Sequence, residues 1–144
     1  MKKLTFIALL IILVTSAITL FIHIKDFIWM LGLWKLDPQN PGVLVGYAVQ
    51  LIGIISLCVF LITFSVGIVF KKHWYKALIR TLIASLLFAG FIIFQDNTYL
   101  RIYVENVSLL EKLYNPIKNF FVFIIINLIA SLFLTRPKVK EQFK

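Results

Sequence analysis

The sequence predicts an all-α, polytopic membrane protein with four transmembrane helices and two outer-face amphipathic or interfacial helices. Three observations predict it. First, the 28 residues from Val43 to Phe70 contain no charged side chain. At about 1.5 Å per residue that run reaches roughly 42 Å, past the ~30 Å hydrocarbon core of a bilayer. Second, the 144 residues are 61% apolar and 15% charged, with mean hydropathy +0.97, whereas a soluble domain carries about 25% charged residues. Third, the basic residues gather at the ends of apolar runs, where they act as orientation signals. A single domain over 1–144 follows, most of it in lipid.

The first span is expected over about 4–24, behind Lys2 and Lys3. Thr15-Ser16-Ala17 resembles a weak processing site, so a cleaved signal peptide is the competing reading. The apolar run continues to Ile24, long enough to cross, which argues for an uncleaved helix. An interfacial segment is expected next, over about 26–36. Trp29 and Trp34 lie there among apolar residues flanked by Asp26 and Asp37, and an indole's apolar body and N–H suit the headgroup region. Asp37-Pro38-Gln39-Asn40-Pro41-Gly42 reads as a turn.

The second span, 43–70, carries a patterned set of small and polar residues. Gly46, Gly53 and Gly67 share one register of a seven-residue period, with Phe60 in the remaining place, and Gln50, Ser56 and Thr63 run beside them. Small residues so spaced let transmembrane helices pack closely. Gly46, Gly53, Ser56, Thr63 and Gly67 are therefore the expected helix-packing set. Lys71, Lys72, Lys76 and Arg80 form a basic cluster around Trp74 and Tyr75, and the third span is expected over about 74–95, ended by Gln95-Asp96-Asn97.

Over 98–115 the pattern changes. Thr98, Arg101, Glu105, Ser108, Lys112 and Asn115 recur at three- and four-residue steps, one polar stripe on an otherwise apolar helix. Such a helix lies on a membrane or beneath a partner. Asn106-Val107-Ser108 matches a glycosylation sequon, a pattern short enough to arise by chance. Pro116 suits the start of the fourth span, over about 117–135, whose notable polar residues are Asn127 and Ser131. A tail rich in Lys and Arg closes the chain.

The chemistry expected from these residues is sparse. Cys58 is the sole cysteine, so no internal disulfide is expected. His23 and His73 fall at opposite ends of the bilayer, as interfacial residues that share no metal. The acids Asp26, Asp37, Asp96, Glu105 and Glu111 all fall in the connections, away from where a proton relay needs them. No catalytic set, metal site or cofactor is expected, and the clustered charge argues against nucleic acid. Gln50 and Asn127 are the intramembrane polar residues, placed within roughly 5 Å of one depth by counting from the outer ends of their helices. The outer-face contact set is Trp29, Trp34, Arg101, Glu105 and Lys112.

The expected function is that of an inner-membrane protein acting by helix packing and protein contact, as a homo-oligomer or beside a second membrane protein. In size, span count and basic inner loops the layout resembles the small four-span exclusion and immunity proteins of bacteria and phages. That resemblance implies a defence role. The alternatives are a homo-oligomeric channel lined by neutral residues of the second helix, and an accessory subunit of a transporter or membrane enzyme.

Orientation follows from charge. With both termini in the cytoplasm, Lys2, Lys3, Lys71, Lys72, Lys76, Arg80, Arg136, Lys138, Lys140 and Lys144 lie inside, and Lys25, Lys35, Arg101, Lys112 and Lys118 outside. Single cysteines placed at Lys144 and Asn40 are expected to react with an impermeant reagent from the cytoplasmic and outer faces respectively. Labelling of position 144 in intact cells would overturn the topology.

Overall fold

A computed structural model describes residues 2–36, 41–103 and 117–144. The described residues form helices α1 (Lys3–Leu36), α2 (Pro41–Phe70), α3 (Trp74–Tyr103) and α4 (Ile117–Leu134). A short helix α5 (Pro137–Lys140) and a 3-10 turn (Glu141–Phe143) follow. Many residues in these helices are β-branched and score poorly as helix formers in water. Hydrocarbon reverses the choice, because a helix satisfies its own backbone where no water is present to do so.

Two boundaries differ from the sequence expectation. The first helix does not stop near Ile24 to leave a separate interfacial segment over 26–36; it runs unbroken for 34 residues. No proline interrupts it, its one glycine in that stretch is Gly32, and Lys25 reaches back over the Phe21 ring, 5.4 Å from its centroid. A lysine one turn along from an aromatic ring is thereby accommodated on the helix surface. Likewise α3 does not end at Gln95-Asp96-Asn97 but continues to Tyr103. Asp96 and Asn97 are weak helix formers, yet none of the three residues removes a backbone donor as proline does. Thr98–Tyr103, expected to open an amphipathic helix, are instead the last turns of α3. The rest of that expected helix, over 104–115, lies outside the described residues. The second helix starts at Pro41, two residues early, since proline's fixed φ suits a first helical position.

Each long helix packs on two others: α1 on α2 and α4, and α3 on α2 and α4. The order around the bundle is therefore α1, α2, α3, α4. Phe88 meets Gly53 and Trp74 meets Gly67, so α2 and α3 run antiparallel in one register. Phe120, Ile12, Leu61, Leu78, Leu82 and Leu134 fill the interior at under 2% exposure. The outside is as apolar as the inside. Phe21, Phe70, Leu87, Phe94 and Ile129 stand 65–83% exposed, a surface that suits lipid rather than water. Lys3–Gly32, Ala48–Phe70 and Trp74–Ile92 are long and apolar enough to cross a membrane. A fourth crossing is reached if Phe120–Leu134 and Pro137–Phe143, bent by 75°, are one span.

The two half-buried glycines of α2 set its fit to α3. A Cβ at Gly53 would stand inside the Phe88 ring and one at Gly67 inside the Trp74 indole. Gly53→Leu is expected to destabilise the protein by about 1–3 kcal/mol, the usual cost of overpacking. Val59 is 45% exposed, so Val59→Leu is expected to change stability by less than about 0.5 kcal/mol. Denaturant unfolding in a mild detergent, followed by helicity, compares the two; equal midpoints would remove the ring-on-glycine contact from the account.

Candidate functional site: buried polar groups and the locked end of the bundle

A polar side chain between apolar helices needs a partner, and the nearest one is its own helix backbone. Ser85 donates to the Leu82 carbonyl at 2.7 Å and Ser131 to that of Leu128 at 2.8 Å. His23 Nδ1 lies 2.8 Å from the Thr19 carbonyl oxygen, and Asn127 Nδ2 donates to the Phe123 carbonyl at 2.7 Å. Among the described residues, three buried polar atoms are left without a hydrogen bond: Ser16 Oγ, Ser65 Oγ and Asn127 Oδ1. Asn127 is wholly buried, so leaving its carbonyl oxygen unpaired carries a desolvation cost.

The expected pairing of Asn127 with Gln50 is not formed through that oxygen, and the two residues do not share a depth. Gln50 lies three residues from Gly53, which meets Phe88; Asn127 lies seven from Leu134, whose carbonyl accepts the Tyr75 hydroxyl. Projected onto α3, Gln50 is level with Phe91 and Asn127 with Leu82, about 13 Å apart at ~1.5 Å per residue. Counting from the outer ends misplaced them because α2 has 30 residues and α4 only 18. The two helices are matched at the other end.

The expected helix-packing set divides. Gly53 and Gly67 receive rings of α3, while Ser56 and Thr63 are exposed on the outside of α2. Thr63 Oγ1 donates to the Val59 carbonyl at 2.8 Å. Gly46 lies in the second turn of α2. Of the outer-face contact set, Trp29 is exposed in α1, and Trp34 and Arg101 belong to the helical backbone of α1 and α3. Glu105 and Lys112 lie outside the described residues.

Two features were not expected from sequence. His23 is buried within the bundle: it is 2% exposed, edge-on to the Phe120 ring at 6.0 Å between centroids. His23 shares one buried face of α1 with Ser16, Thr19 and Met30, at helical spacing. The second feature is the tail. After Leu134 the chain turns through Pro137 and folds across the end of the bundle that holds both termini. Phe143 stacks on Tyr75, 4.4 Å between centroids and 6° from parallel. Gln142 Oε1 accepts from the Lys2 amide and the Thr5 hydroxyl, both at 3.1 Å. The tail thus ties the start of α1 to the start of α3. Its sequence signal is slight: Val139 and Phe143, four apart among lysines.

Among the described residues, no three of His, Cys, Asp and Glu come close enough to hold a metal ion. Comparison with protein families, curated proteins and solved structures finds no match.

Asn127 can be tested apart from any activity. Leucine keeps the branch at Cγ and, though larger, has no carbonyl to desolvate. Asn127→Leu is expected to hold or raise stability, by up to about 2 kcal/mol, because a buried unpaired acceptor costs about 1–3 kcal/mol. A clear fall in the detergent unfolding midpoint for both Asn127→Leu and the smaller Asn127→Val would mean that Asn127 Oδ1 has a partner in the native protein.

Proposed function

We propose that the chain is a small integral inner-membrane protein that acts by helix packing and protein contact, self-assembling or joining a second membrane protein. The observation that supports this most is the outer face of α2. Ser56 and Thr63 turn their hydroxyls away from an interior already filled by Leu61, Leu78 and Leu82. Hydroxyls on a lipid-facing surface suit contact with another transmembrane helix, where small and hydroxylated residues favour close approach. Lys2, Lys3, Lys71, Lys72 and the basic tail share one end of the bundle; by the positive-inside rule that end faces the cytoplasm.

The same face supports a second reading, a homo-oligomeric channel. Copies meeting around the outside of α2 would line a path with Ser56 and Thr63 rather than with the packed interior of one bundle. The defence-type role and the accessory-subunit role both operate through such a contact surface.

Oligomeric state in a mild detergent tests the proposal. The purified protein is expected to be larger than a monomer by light scattering, and Ser56→Leu/Thr63→Leu to shift it toward monomer without loss of helicity. A wild-type monomer that captures no membrane protein from its host would overturn the contact reading. Ion conductance in planar bilayers, lost in the double variant, selects the channel.

A further inference from the structure

The end of the bundle that holds both termini carries two adjoining cavities of opposite character. One, about 530 Å³, lies between the start of α1 and the tail and is lined by Lys2, Arg136 and Lys138 together with Thr5 and Gln142. No acid lines it; Glu141, the one acid of the tail, is not part of its wall. The other, about 290 Å³, runs up the seam between α1 and α4 and is wholly apolar. Ala8 and Ala130, 7% and 5% exposed, form its floor, and longer side chains such as Ile11, Ile126 and Ile129 rise beside them. Two alanines facing each other leave a trough where larger residues would have filled the seam.

The cavities adjoin, since Leu4 and Phe133 line both. The Arg136 guanidinium sits over the Phe133 ring, 5.5 Å from its centroid, which holds a cation at the junction. Gln142 occupies the Lys2 amide and the Thr5 hydroxyl, so the Lys2 and Lys138 ammonium groups and the Arg136 guanidinium supply the positive charge. A molecule that fills both cavities must carry an anion at one end and a hydrocarbon chain at the other. The apolar trough opens on the lipid-facing side, where Leu4, Ile7 and Ile129 are 48–66% exposed.

We propose that this junction binds an anionic phospholipid, its phosphate held by Lys2, Arg136 and Lys138 and one acyl chain laid in the groove between α1 and α4. Basic pockets at the ends of transmembrane helices suit such headgroups, and each cation near the surface strengthens the attraction. An occupant here also bridges α1, α4 and the tail, and so steadies the tail in its folded-back position. The inference rests on the bundle's lying in a bilayer and not on what the outer face of α2 contacts.

Thermal unfolding in a neutral mild detergent tests it, with four additions to the full chain: long-chain phosphatidylglycerol, long-chain phosphatidylcholine, glycerol 3-phosphate and inorganic phosphate. Phosphatidylglycerol alone is expected to raise the melting temperature, saturably. In Arg136→Gln/Lys138→Gln, judged against its own lipid-free melting temperature, the half-saturating lipid concentration is expected to rise about thirtyfold for the two lost cations. Equal stabilisation by phosphatidylcholine would remove the headgroup assignment, and equal stabilisation by either soluble phosphate the acyl chain. A melting temperature that follows protein concentration and ignores lipid would mean that a second copy covers the groove instead. Should the double variant not fold, the wild-type contrast between the two lipids still decides.

Discussion

Phe88 over Gly53 and Trp74 over Gly67 are the contacts on which the arrangement of the bundle turns. In lipid no hydrophobic drive brings helices together, and packing must come from shape. A flat aromatic ring on a bare stretch of backbone is such a shape, and two of them set fourteen residues apart fix both the spacing and the register of α2 against α3. With that register set, Leu61, Leu78 and Leu82 fall together inside, and Ser56 and Thr63 are carried to the outside.

The end of the bundle is held differently. There the bonds are polar and the elements short: Tyr75 to the Leu134 carbonyl, Gln142 to Lys2 and Thr5, and the stacked pair Tyr75 and Phe143. These bonds lie where Lys2, Arg136, Lys138 and Lys140 gather. The tail is thus both a latch across α1 and α3 and one wall of a positively charged cavity. A short amphipathic segment can do both because its apolar residues, Val139 and Phe143, point inward while its lysines remain exposed.

Four interior polar residues among those described bond within their own helices. Ser85, Ser131, His23 and the amide nitrogen of Asn127 all bond one turn back on their own helix. Such bonds carry no information about which helix lies opposite. Specificity of packing therefore rests on volume: alanine facing alanine between α1 and α4, ring facing glycine between α2 and α3.

The helices themselves were legible in the sequence, because long uncharged runs have only one way to satisfy their backbones in a bilayer. The small-residue pattern of α2 was legible too, but not what each residue meets. A glycine at 53 signals a close approach without naming the ring of Phe88, and a serine at 56 lies only a short way round the helix yet faces outward. Helix ends at Ile24 and Gln95 were misread, since charge and polarity mark a membrane boundary while a helix stops only where its backbone is forced to. Depth was misread for Gln50 and Asn127, because sequence counts residues from a helix's own end and only contact with α3 shows which ends are level. The folded-back tail was decided by tertiary structure alone: a stacked ring and one glutamine bond residues more than sixty positions apart, a distance across which no local pattern extends.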